Sequence, residues 1–292
     1  NKMKLSIVIP NYNDSNNLID CIKSIQKNKP TNSEIIVIDD CSTDDSLSLV
    51  HKKFKNIRII SLSVHKGIAF VRNIGLKMSK GDRILFIDSD ITINNDLIKN
   101  LLNKIENNDL VFPKVIFENK RIMHPLLEEE KQYPQITACF MIKKNSIKKN
   151  NLSFDETYSY CYEDSDFFLR GALKNLKIKY VKEAVAIHKL KKRKNTEKRF
   201  YLENRNLLYG IRKFKRTNTN NIYHPFHYSS LFKNFITAIF NYDKFDWSHY
   251  NRQSNIFEKF ILLFKKHKKI TAKNRIVLIY YFFKAILWNI KK

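Results

Sequence analysis

The chain has 292 residues, 43% of them hydrophobic and 13% aromatic, with only 5 Gly and 6 Pro, which excludes disordered, collagen-like and linker-rich classes. Four scattered cysteines, Cys21, Cys41, Cys139 and Cys161, form no Cys-x-x-Cys pair, so neither a zinc cluster nor a disulfide framework is expected and a reducing compartment fits. The net charge of +26 is uneven: from Lys191 onward there are 24 Lys/Arg against 5 Asp/Glu, which calls for an anionic partner such as an acidic membrane surface or nucleic acid.

Residues 4–10 read as a buried strand, too short for a signal-peptide core and closed by Pro10 and the polar turn Asn11-Tyr12-Asn13-Asp14. Leu18, Ile19, Ile22 and Ile25 then recur at helical spacing over 15–27. A second strand, 34–38, ends in Asp39 and Asp40, and Ser42-Thr43-Asp44-Asp45 supplies capping groups for a helix through Phe54. Residues 57–62 form a third strand, Gly67 opens a helix carrying Arg72 and Asn73, and Arg83 to Ile87 is an apolar run that stops at Asp88-Ser89-Asp90. Strands alternating with helices of about ten residues predict parallel βαβ units and a doubly wound α/β fold.

Parallel strands bring their carboxyl ends to one edge, where open α/β sheets bind ligands. Asp39/Asp40 and Asp88/Asp90 are therefore expected to face a common crevice, where four carboxylates need a cation or hydrogen-bond donors to offset their repulsion. Hard cations such as Mg²⁺ or Mn²⁺ take carboxylate oxygens together with substrate phosphates, although an Asp-x-Asp also serves as a solvated turn or a helix cap. No Gly-x-Gly-x-x-Gly and no Gly-x-x-x-x-Gly-Lys-Ser/Thr is present, which argues against a dinucleotide-binding domain and a P-loop.

Further on, 109–117 and 135–142 read as strands around a polar excursion at 126–131, and Glu163-Asp164-Ser165-Asp166 opens an amphipathic run through Leu176. His188 ends the strand 178–187, and a helix spans 196–214. Thr217 to Asn221 is a polar break, which divides the chain into a catalytic domain, 1–217, and a basic, aromatic-rich helical region, 218–292. In the latter, 226–240, 256–264 and 276–290 are apolar and are separated by Lys265-Lys266-His267-Lys268-Lys269. The last run holds Lys284 and falls short of the ~20 residues of a spanning helix, so interfacial helices on an anionic membrane are expected, with a helical cap as the alternative.

Ser6 to Asn13, Ile36 to Asp44, Arg72-Asn73-Ile74-Gly75, Gly81-Asp82 through Asp88-Ser89-Asp90, and Tyr162 to Arg170 together resemble the family 2 glycosyltransferases of the GT-A fold, in that family's order and spacing over 4–216. Cys41 stands where the family most often has glycine, which touches local turn shape. The resemblance implies an inverting, metal-dependent transfer of a sugar from a nucleotide-sugar, a UDP-sugar, to a hydroxyl of a lipid-linked or surface glycan. Asp40 would accept a hydrogen bond from the base, Pro10, Asn11 and Tyr12 would line the nucleoside, and Arg72 would lie near the nucleotide. Asp88 would sit near the ribose and join Asp90, the main ligand, at Mn²⁺ or Mg²⁺. His188 reads either as a strand-end core residue or as a further metal ligand. Asp164 would be the general base, with Glu163 holding the acceptor and Arg170 bracing the motif. A cytoplasmic enzyme at the inner face of the membrane follows. A nucleotidyltransferase on a related fold would need a glycine-rich phosphate loop that 9–12 lacks, and no recognisable nucleic-acid module supports specific DNA or RNA binding.

Overall fold

A computed structural model describes residues 4–123, 138–189, 197–215, 217, 280 and 283–290. In chain order the elements are β1 (Leu5–Asn11), α1 (Ser15–Gln26), β2 (Ser33–Asp39), α2 (Ser46–Lys53), β3 (Arg58–Ser61), α3 (Ile68–Met78), β4 (Arg83–Ile87), β5 (Ile91–Ile93), α4 (Leu97–Ile105), β6 (Leu110–Phe117), β7 (Cys139–Lys143), α5 (Lys144–Lys149), α6 (Glu163–Leu173), β8 (Ile178–His188) and α7 (Glu197–Phe214). The expected excursion at 126–131 and the first two apolar runs of the tail fall outside the described residues. The chain divides into two compact units, one built on Asn1–Lys191 and the other on Lys192–Asn218 with Phe226–Lys292. α7, placed in the catalytic domain by the expected boundary at 217, groups with the second unit.

The first unit is organised around a mixed sheet whose described strands run in the order β3-β2-β1-β4-β7-β6-β8-β5. β1 pairs in parallel with β2 and with β4, and β2 with β3, so β2 and β4 deliver their carboxyl ends on either side of Asn11. β7 then runs antiparallel to β4 and β6. The apolar run in β4 is explained by its position: Leu85 and Ile87 join a core with Ile7, Ile9, Leu18, Ile22 and Leu101, beneath α1, α2 and α4. Phe86 points to the other face, where it meets Phe140 at 5.0 Å and joins Phe154, Phe167 and Phe168 in a ring cluster beneath α6. α3 lies so close to β1 that a Cβ on Gly75 would be 2.5 Å from Val8 Cγ1, which accounts for the glycine of the Arg72-Asn73-Ile74-Gly75 segment.

At the far side, β6 runs parallel to β8 with the register jumping from Pro113↔Val181 to Lys114↔Val185. Proline has no N–H for the ladder, so a shift at this position is physically reasonable. Beyond the shift, three-residue β5 pairs antiparallel with the end of β8 and sets Ile91 opposite His188. That pairing carries His188 from the far end of the chain to the Asp88-Ser89-Asp90 turn.

In the second unit α7 is met by the helix 283–290. Asn289 donates to the carbonyl of Arg205 at 3.0 Å, and the Arg205 guanidinium lies 4.8 Å from the centre of the Trp288 ring. No helix among the described residues is long and apolar enough to cross a membrane.

Candidate active site

The Asp39-Asp40 pair splits at the end of β2, because successive strand residues point to opposite sides. Asp39 is fully buried and structural: it accepts from Asn11 Nδ2 at 2.7 Å, from Ser42 N at 3.0 Å and from Ser42 Oγ at 2.6 Å. Asn13 adds a second tie, accepting from Thr43 N at 2.7 Å, and together these contacts close the β1 turn onto the β2 turn. Cys41 sits in that turn at φ 64°, in the left-handed region that glycine enters most easily, so the departure from the family's residue leaves the turn geometry in place.

Asp40 turns toward the loop before α3. Its Oδ1 accepts from Lys66 N at 2.7 Å and its Oδ2 from Gly67 N at 2.8 Å, so the carboxylate takes donors just ahead of the helix N-terminus. His65 Nδ1 approaches the same Oδ2 at 2.9 Å, and the His65 ring stacks on Tyr12 with centroids 4.2 Å apart. Pro10 and Asn11 are buried in β1, whereas Tyr12 is 48% exposed. Gly67 has φ 92°, and a Cβ there would lie 2.4 Å from the carbonyl oxygen of Ser159, so this loop packs directly on the segment leading to α6.

Arg72 is buried between two acidic segments. Nη2 reaches Asp88 Oδ1 at 3.0 Å and Nη1 reaches Glu163 Oε1 at 2.6 Å, joining the end of β4 to the first residue of α6. Burial pulls the guanidinium down, but Asp88, Glu163 and Asp164 outweigh it, so Arg72 stays charged. Asn73 pins the same region by donating to the carbonyl of Phe154 at 2.9 Å and to Glu156 at 2.8 Å, and by accepting from Phe154 N at 2.8 Å. Its motif was visible in the sequence; the residues it fastens, 81 and 83 positions away, were not.

One cation thus serves several carboxylates, and the acids respond. Burial is the main force lifting Asp88 above the ordinary carboxylate range, against the pull of Arg72 and with help from Asp90. Burial and then Asp164 push Glu163 up to about 8, although Arg72 opposes both. Asp164, also buried, follows at the start of α6 and turns its Oδ1 to Ser165 N at 2.7 Å. Tyr162 precedes them at φ 71°, a left-handed residue at the entry to the helix. Arg170 pairs with the fully buried Asp166 at 2.7 Å and donates to the carbonyl of Ser153, which is the bracing expected of it.

Asp90 and His188 face each other, with Oδ1 and Nε2 3.9 Å apart. His188 Nδ1 lies 2.8 Å from the carbonyl of Lys189; a proton held there leaves the Nε2 lone pair directed at Asp90, the tautomer a metal-bound histidine takes. One divalent cation can touch both atoms. Among the described residues no three His, Cys, Asp or Glu side chains are gathered as a ready metal cage, and Asp88 is engaged by Arg72. The donor set therefore fits a cation that draws its other ligands from a bound diphosphate and water.

Of the sequence-predicted residues, the structure brings Arg72, Asp88, Glu163 and Asp164 into one charged group, pairs Asp90 with His188, and sets Tyr12 and Asp40 against His65 in the loop before α3. Sequence reasoning gave no role to His65 or Asn73, and it set Asp39 in the crevice, whereas the structure buries that carboxylate against Asn11 and Ser42. A separate basic depression of about 480 Å³, lined by Arg83, Lys143, Lys144 and Lys148 with Asp82 and Asn145, lies at the opposite, amino end of β4.

A parallel βαβ half followed by antiparallel strands, with an acidic Asp-x-Asp turn after β4 and a second acidic helix start opposite it, is a GT-A arrangement. Residues 6–176 match glycosyl transferase family 2, and the chain belongs to that family. It is 34% identical over 197 residues to the poly(ribitol-phosphate) beta-N-acetylglucosaminyltransferase TarP of Staphylococcus aureus, a match covering 60% of this chain and 60% of TarP. It is 31% identical over 195 residues to a poly(ribitol-phosphate) beta-glucosyltransferase of Bacillus spizizenii, covering 60% of this chain and 30% of that protein. Among solved structures, residues 1–349 of S. aureus TarS in complex with UDP superpose with a TM-score of 0.56 at 25% identity, over 70% of this chain and 66% of that one. The matched stretch thus spans less than two thirds of each of these relatives.

Proposed function

We propose that the protein is an inverting glycosyltransferase that moves a sugar from a UDP-sugar to a hydroxyl of an anionic or lipid-linked glycan. The observation that carries this reading is the Asp88–Arg72–Glu163 bridge, which ties the Asp-x-Asp turn to the acidic start of α6 across 91 residues of sequence. In this reading Tyr12 and Asp40 receive the base, with Pro10 and Asn11 shaping the turn beneath it. Arg72 acts by holding Asp88 and Glu163 in register. Asp164 takes the proton of the acceptor hydroxyl as its oxygen attacks the anomeric carbon. The bond from that carbon to the diphosphate breaks with its electron pair leaving on UDP, and the configuration inverts. Base assistance of this kind contributes ~10²–10⁴-fold. A Mn²⁺ or Mg²⁺ ion on Asp90 and His188 would neutralise charge on the departing diphosphate.

The acceptor class is supported by the relatives, named for activity on poly(ribitol-phosphate), and by a net charge of +26, which suits a polyanionic chain. We tie attachment to an anionic membrane, with the enzyme at the inner face of the cell membrane, to a second observation. Tyr280, Phe283, Leu287 and Ile290 are 52–71% exposed at helical spacing, while Ala285 and Asn289 on the opposite side are buried. From Lys259 to the last residue the sequence holds ten Lys/Arg and no Asp or Glu, which favours anionic lipid.

The test is a thermal-shift screen of UDP, GDP, dTDP and CDP with and without Mn²⁺. UDP with Mn²⁺ should stabilise most. Asp90→Ala should remove the metal-dependent part, and Asp164→Asn should keep the shift while losing transfer. A wild-type protein stabilised by no nucleoside diphosphate overturns the reading.

A further inference from the structure

The proposed base subsite contains a side chain that the reading above does not use. His65, in the loop between β3 and α3, stacks on Tyr12 with centroids 4.2 Å apart and planes inclined by 29°. Its Nδ1 stands 2.9 Å from Asp40 Oδ2. The ring thus covers the face of Tyr12 and crowds the Asp40 carboxylate, the two places where a uracil ring would put its own face and its N3–H, while its Nδ1 hydrogen-bonds the backbone carbonyl of Asp40 at 3.4 Å. With Gly67 N already on Oδ2 at 2.8 Å and the imidazole 2.9 Å from the same oxygen, a base cannot reach Oδ2 while His65 stays.

We infer that His65 is a competitor for the nucleobase in its own subsite, and that it sets how tightly the base is held. The inference rests on the reading of Tyr12 and Asp40 as base-binding residues. Burial separates the fixed parts from the moving one. Asp40 is buried and stays aimed by the backbone of Lys66 and Gly67 whether or not the imidazole is present. Tyr12 and His65 are about half exposed, so the imidazole can leave Tyr12 without opening the core. Displacing it removes one half-exposed ring contact and one long hydrogen bond to the Asp40 carbonyl, which corresponds to about three- to ten-fold in affinity.

The test is calorimetric titration of the full chain with UDP, uridine and Mn²⁺-pyrophosphate, for the wild type, His65→Ala and His65→Phe. Competition predicts that His65→Ala binds UDP and uridine about three- to ten-fold more tightly than the wild type, with pyrophosphate unchanged. His65→Phe still stacks on Tyr12 but cannot donate to Asp40, so its gain should be smaller. Unchanged or weaker UDP binding by His65→Ala overturns the inference, since the ring would then be inert or a wall that supports the base. An equal gain for pyrophosphate also overturns it, because the effect would not arise at the base. If the wild type binds neither UDP nor uridine, it is the assignment of the subsite itself that falls. Melting temperatures of both variants, expected near the wild type for a half-exposed ring, guard against misfolding as the cause.

Discussion

Glu163→Gln offers the sharpest check on the charged group around Arg72. Burial and Asp164 push the Glu163 carboxyl up to about 8 from an ordinary 4.5, so between those values the folded chain holds a proton that the unfolded chain has released. The stability this supplies is complete below the unfolded value and is lost as pH rises through the folded one. One fully retained proton gives a fall of about 1.4 kcal/mol per pH unit, and the shared charge of Arg72 and Asp164 reduces this to roughly 1 kcal/mol per unit. Glutamine keeps the shape and an oxygen for Arg72 Nη1 but does not titrate. Urea denaturation of the wild type and Glu163→Gln at a series of pH values from about 5.5 to 7.5 should therefore show the wild type losing about 2 kcal/mol relative to the variant. A difference that is flat with pH, or one in which the wild type gains as pH rises, would refute the reasoning and mean that Arg72 keeps Glu163 ionised.

Three further outcomes are expected. Asp39→Ala strands the buried side-chain N–H of Asn11 and the donors of Ser42, and should cost about 2–4 kcal/mol in urea denaturation; a loss below half a kcal/mol in that titration would show the β1–β2 turn to be held elsewhere. Gly67→Ala forces a side chain onto φ 92° and into the Ser159 carbonyl, so the melting temperature should drop by several degrees, and a melt like the wild type's would contradict the close packing. Leu287→Asp with Ile290→Asp puts two carboxylates on the exposed stripe. Flotation with anionic liposomes should carry the wild-type chain up and leave the double variant behind, while equal flotation would remove the stripe from membrane binding.

Much of the first unit was legible because its strands are apolar on both faces and its turns are polar. The run before Asp88 could be placed at a sheet's carboxyl edge from pattern alone. β5 could not, since three residues show no periodicity, and with it went the reason His188 meets Asp90. α4 passed without notice although Leu97, Ile98, Leu101 and Ile105 recur on one face. Asp39 and Asp40 read as one acidic pair, yet backbone alternation sends the first to Asn11 and Ser42 and the second to the loop before α3. Resemblance set Arg72 near a nucleotide. Its partners lie 16 and 91 residues away, a distance over which no local pattern carries information.

α3 has one more consequence. Gly67, at its head, touches the carboxylate of Asp40, and Arg72, five residues on, grips Asp88 and Glu163. On the proposed reading, the helix acts as a ruler of roughly 7–8 Å between the base subsite and the charged group around Arg72. Inserting a single residue in that interval would swing the guanidinium by about 100° and lift it by about 1.5 Å. Substituting Tyr12 or His65 changes what is held at one end and leaves that length untouched, whereas an insertion along the helix changes the length itself.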